Sequence, residues 1–119
     1  MYTESYSKNK FRDEIASVFH DLMLRYGLNL KENSMDGFSL SNDWFAIDFN
    51  YLLGQVTCDI DCALLGIRDA SCAMAYGLVF PGLKLPESVG DIWDPMNALI
   101  WEKKLVSQII SQASSSIYS

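Results

Sequence analysis

The sequence predicts an α+β domain: an antiparallel sheet of three to four or more strands, packed on one side by an N-terminal and a C-terminal helix. Three observations carry this. Apolar residues recur at helical spacing through residues 8–26, period-two alternation runs through residues 44–61, and Asp94-Pro95 opens a second long stretch of helical period.

In the first helix Phe11, Ile15, Val18, Phe19, Leu22 and Tyr26 form one apolar stripe, with Lys10, Arg12, Asp13, Asp21 and Arg25 mostly off it. Gly27 follows and can take the left-handed conformation that ends a helix. Leu28 and Leu30 lead into a polar turn region, residues 31–36. Phe38 and Leu40 then alternate with Gly37, Ser39 and Ser41 as a short strand, closed by the turn pair Asn42-Asp43. Phe45, Ile47, Phe49 and Tyr51 face one way while Ala46, Asp48 and Asn50 face the other. After a turn at Leu53-Gly54, Val56, Cys58 and Ile60 alternate with Thr57, Asp59 and Asp61. Such alternation marks a sheet with one wet face.

Residues 62–90 are less regular. Residues 62–67 extend the buried strand, residues 69–76 read as a short helix capped by Asp69 and stopped at Gly77, and Leu78-Val79-Phe80 reads as a brief strand. Residues 83–88 read as a linker. The last helix starts with Asp94 as N-cap and Pro95 at its first position. Met96, Leu99, Ile100, Val106, Ile109, Ile110 and Ala113 form its apolar side. The whole chain, 1–119, is one domain, and residues 1–7 and 114–119 are expected to fray.

A hairpin turning at Leu53-Gly54 pairs 51 with 56, 49 with 58 and 47 with 60, which puts every apolar residue on one face. A one-residue slip would bury the aspartates, so the register is strongly specified. It sets Asp48 opposite Asp59, with Asp61 diagonal to Asp48. Like charges directly opposite are destabilising by under about 1 kcal/mol. An exposed face that keeps them is suited to a cationic partner.

Charge points the same way. Net charge is −6, and between Glu32 and Ile67 stand six acids (Glu32, Asp36, Asp43, Asp48, Asp59, Asp61) without one Lys or Arg. Such a field repels nucleic acid and anionic membrane and attracts something basic. The first ten residues hold no apolar leader core, and no segment approaches a membrane span. Three cysteines, an odd number, suit a reducing cytoplasm.

No cofactor, metal or catalytic motif is expected. Cys58 and Cys62 face one side of their strand while Asp59 and Asp61 face the other, so the four do not converge on one ion. Asp48, Asp59 and Asp61 lack the ligand loop of a calcium or magnesium site. His20 has no nucleophile or acid beside it in any recognisable motif, and no phosphate loop or nucleophile elbow is present. Trp44 shares strand parity with Asp48 and so is expected on the wet face, an aromatic anchor among acids.

The run from Leu24 through Tyr26-Gly27 to Leu30, then Phe38-Ser39-Leu40, residues 44–49 and the acidic return strand 56–60, resembles small bacterial immunity proteins of polymorphic-toxin and contact-dependent growth inhibition systems. The resemblance covers about residues 11–61. It implies a cytoplasmic antitoxin, not an enzyme, that binds one cognate toxin domain, often a basic nuclease. Such a protein would be a monomer or weak dimer and bind neither nucleic acid nor membrane. The contacts expected on the acidic face are Asp43, Trp44, Asp48, Asn50, Thr57, Asp59 and Asp61. A second resemblance is to type III secretion chaperones, also small and acidic, which are homodimers that wrap an effector segment.

Overall fold

The structure, a computed structural model, describes residues 2–88 and 90–118. The chain runs α1 (Lys8–Val18), α2 (His20–Tyr26), β1 (Asn29–Glu32), β2 (Phe38–Ser41), β3 (Ala46–Leu52), β4 (Gln55–Cys62), β5 (Ile67–Ser71), α3 (Cys72–Val79) and α4 (Pro95–Tyr118). The fold is α+β. Its five strands form an antiparallel meander in the order β1-β2-β3-β4-β5, so each strand pairs with its neighbours in sequence.

The β3–β4 register is the one that alternation dictates: Tyr51 opposes Val56, Phe49 opposes Cys58, and Ile47 opposes Ile60. Phe38, Leu40, Ile47, Phe49, Cys58 and Ile60 are buried, and they join one core with Phe11, Ile15 and Phe19 from the first helices and Leu99, Val106, Ile109 and Ile110 from α4. Phe19 meets Phe49 edge-on at 5.0 Å between ring centroids, and Phe11 meets Phe38 at 6.0 Å. Burying each such side chain contributes about 1.5–3 kcal/mol. The helices cover that face and leave the other open.

The first helix is split rather than continuous. Phe19 departs from helical dihedrals (φ −98°, ψ 9°) between α1 and α2. Its ring is wholly buried, a gain that outweighs one residue's loss of helical geometry. Gly27 ends α2 in the left-handed region at φ 66°, as expected.

The termini are more ordered than their composition suggests. Ser7 caps α1 by accepting from the Lys10 amide at 3.1 Å. Tyr6 is buried, and Tyr2 stacks on Tyr51 at 5.8 Å. Aromatic burial thus holds residues 2–7 down against the expected fraying. At the other end α4 continues through Tyr118, past Ser114, with Ala113 buried and the Ser115 hydroxyl donating to the Ser111 carbonyl. Met1 and Ser119, also expected to fray, lie outside the described residues.

The region 62–90 departs most from expectation. Residues 63–65 make a 3-10 turn instead of extending β4, and Gly66 follows at φ 68°. The segment read as a helix from Asp69 begins as strand β5, whose Ser71 then caps α3 by accepting from the Met74 amide. Gly77 lies inside α3 rather than ending it, and Leu78-Val79 belong to that helix, not to a strand. Residues 83–88 are irregular, and the Trp101 indole donates to the Pro86 carbonyl at 2.7 Å. Asp94 caps α4 through the Met96 amide at 3.1 Å. No helix among the described residues is long and apolar enough to cross a membrane.

Candidate functional site

The open sheet face is built from the residues that alternate with the core. Strand pairing lays them in rows. One row reads Lys31, Ser39, Asp48, Asp59, Ser71, a second reads Asn29, Ser41, Ala46, Asp61, and Asn50 opposes Thr57 in a third. Every side chain but Lys31 in these rows is short, so the face is flat and polar.

Asp48 and Asp59 sit directly opposite one another, with Asp61 diagonal to Asp48. Asp48 accepts a short hydrogen bond from the Ser39 hydroxyl, and Asp61 accepts from the Asp69 amide at 2.8 Å. Burial raises the Asp59 pKa from its ordinary value, and the charges of Asp69, Asp48 and Asp61 push it the same way. Asn33 Nδ2 donates to the Asn50 side chain at 3.4 Å. Asn33, Ser34, Met35, Asp48, Asn50, Asp59 and Asp69 together line a shallow concavity of about 300 Å³. Asp48, Asn50, Thr57, Asp59 and Asp61 are therefore brought together on one face.

Two expected residues lie elsewhere. Asp43 is exposed in the β2–β3 turn, at the end of the hairpin nearest Asp61. Trp44 is not on the wet face. Asn42 accepts from both the Trp44 and Phe45 amides, at 2.9 and 2.8 Å, and this side-chain turn cancels the strand parity before β3 begins. Trp44 instead packs edge-on against Tyr26 at the C-terminus of α2, and lines a cleft with Arg25, Ser111, Ser114 and Ser115 on the helical side.

Two acids of the sequence window share one cation. Lys8 reaches both Glu32, at 3.2 Å, and Asp36. Among the described residues no ion pair reaches Asp48, Asp59, Asp61 or Asp69. Lys31 shares their face, but it is two strands from Asp48, roughly 10 Å, where salt screens it strongly. Asp69 is the member that alternation did not find. It stands in a bulged part of β5 with φ 48°, where aspartate is among the better-tolerated residues.

The crowding has a measurable cost. A carboxyl whose folded-state pKa is raised is stabilising only when protonated, so its contribution is present below about pH 4 and is lost as pH climbs through the folded value. Asp59→Asn should accordingly raise stability at pH 7 by under about 1 kcal/mol, with the gain vanishing near pH 3, as read from urea unfolding at both pH values.

A second group of polar side chains lies on the other side of β4. Cys58, Cys72 and Glu102 offer ligand atoms within 4.8 Å of one another. Burial raises the Glu102 carboxyl to about 7, and burial holds the Cys58 thiol well above its ordinary range. All three cysteines are buried and free. No family model, curated protein or solved structure matches this chain.

Proposed function

We propose that this chain is a stoichiometric inhibitor of the immunity-protein class, which covers a basic surface of one toxin domain with its open sheet face. The observation that supports this is the Asp48/Asp59 apposition, flanked by Asp61 and Asp69 and without a cation paired to it among the described residues. An opposed pair of like charges weakens an isolated sheet and strengthens its contact with a cationic surface. Asp43 and Asn50 extend the contact along the hairpin, while Trp44 contributes to packing behind it. The face is flat and its side chains are short, which suits a broad protein surface better than a small substrate. The reading implies a cytoplasmic protein that acts without cofactor or catalysis.

The reading requires a toxin domain encoded next to this chain's gene, and the test is co-expression with it. Protection should be lost, and affinity should fall by at least about a hundredfold, when Asp48, Asp59 and Asp61 are all changed to Lys. The variant's circular dichroism and urea midpoint should stay close to those of the parent. Unchanged affinity with the triple variant would overturn the reading.

One feature favours a second reading, the secretion-chaperone homodimer. Met74 and Leu78, one turn apart on α3, are 63% and 65% exposed. A dimer joined there should appear in light scattering and dissociate with Leu78→Glu; a monomer at all concentrations removes it.

A further inference from the structure

We propose that Cys58, Cys72 and Glu102 form a binding site for a soft divalent cation of the zinc class. This is independent of the acidic-face reading. The three ligands come from three elements that core packing already holds against each other: β4 supplies Cys58, the first residue of α3 supplies Cys72, and α4 supplies Glu102. Ligands fixed by packed strands and helices are better preorganised than ligands on loops.

The geometry fits. One ligand atom from each residue lies within 4.8 Å of the other two. Tetrahedral zinc, with bonds of about 2.3 Å to sulfur and about 2.1 Å to oxygen, sets its ligands roughly 3.5–3.8 Å apart. Side-chain adjustments on the order of 1 Å therefore complete the triangle. Strand pairing explains the approach of the thiols. Asp59 on β4 opposes Ser71, the last residue of β5, so Cys58 and Cys72, each one position further on, start out side by side.

The donor set selects the ion. Two thiols with one carboxylate suit zinc or cadmium, whereas magnesium and calcium take shells of oxygen. Glu102 Oε2 is buried with no hydrogen-bond partner. A carboxyl oxygen shut off from water without a partner is costly, and a cation on it removes that cost. Glu102, alone of the three, also lines a pocket of about 380 Å³ with Gln55, Val56, Ser88 and Trp101, so solvent reaches the carboxylate side of the cluster. On binding, both S–H bonds break and the Glu102 carboxyl gives up any proton it holds; two zinc–sulfur bonds and one zinc–oxygen bond form, and the released protons pass to solvent with no change in oxidation state.

The experiment is a titration of reduced, chelator-treated full-length protein with zinc chloride alone, followed by calorimetry and thermal unfolding. One equivalent should bind and raise the Tm, because only the folded chain gathers all three ligands. Cadmium in place of zinc should give thiolate-to-metal charge-transfer absorbance. Glu102→Gln and Cys72→Ser should each weaken uptake by at least about tenfold. Cys62→Ser, which removes the buried thiol outside the cluster, should leave it unchanged. Absence of saturable uptake, absence of the thiolate band, or equal loss with Cys62→Ser would each overturn the proposal. Should Cys72→Ser fail to fold, the parent's cadmium spectrum and the Glu102→Gln titration decide it.

Discussion

Phe49→Ala should lower the free energy of unfolding by about 3–5 kcal/mol, the largest loss expected from any single truncation in the sheet. Phe49 is wholly buried in the central strand β3, with Phe19 edge-on at 5.0 Å. Removing its ring strips the contact between the sheet and the α1–α2 junction and leaves a cavity that those rigid elements cannot collapse to fill. A domain of this size has only about 5–15 kcal/mol of net stability, so the variant should sit close to its unfolding threshold. Urea denaturation measures the shift. Leu24→Ala, at a residue 73% exposed, is the control and should change stability by no more than about 0.5 kcal/mol.

The second large effect concerns the smallest side chain on the rim of the acidic face. Gly37→Ala would place a Cβ against the Phe49 carbonyl oxygen and the Asn50 Oδ1, both well inside van der Waals contact, with Asn33 Nδ2 at 3.1 Å. The carbonyl belongs to β3 and cannot yield without moving the central strand. We expect a loss of about 3 kcal/mol, at or above the upper end of ordinary overpacking. It should be accompanied by faster exchange of the backbone amides at positions 33 and 37, since the Gly37 amide donates to Asn33 Oδ1 at 2.9 Å and the Asn33 amide donates to the Gly37 carbonyl at 3.1 Å. Gly54→Ala separates steric crowding from backbone strain. Gly54 has φ 79° but nothing within 4 Å of an added Cβ, so its cost should be about 1 kcal/mol.

The parts of the fold that were readable in the sequence are those where one signal dominated. Strict alternation from Phe45 to Asp61 set the β3–β4 register and with it the Asp48/Asp59 pair. Gly27 and Asp94-Pro95 marked helix ends because their backbone chemistry leaves few alternatives.

The rest was obscured by competing signals. Asp69 resembles a helix cap, but it sits in a bulge and Ser71 does the capping. β5 has the burial pattern of buried, exposed, exposed, buried, exposed, so its bulge erased the period by which a strand is recognised. β1 was hidden because it is a four-residue edge strand with little apolar content. Trp44 was assigned by parity across a turn, and the Asn42 side chain breaks parity there. Glu102 gave no sign at all. It lies between Trp101 and Lys103, and only the packing of α4 over β4 takes it out of solvent.

The N-terminal segment has a practical consequence for how this protein is handled. Tyr2 stacks on Tyr51 and donates to the Asp36 carbonyl at 3.0 Å, and Lys8 holds the side chains of Glu32 and Asp36. Tyr2 and Met35 line one small hollow, and Met35 also borders the aspartate concavity, so a tag fused ahead of Tyr2 starts within reach of that face. Removing residues 2–8 would leave Glu32 and Asp36 without Lys8 and Asp36 without the Tyr2 hydroxyl. Affinity measurements therefore call for the tag at the far end of α4, where the final turns run along the helical side by Arg25 and Trp44.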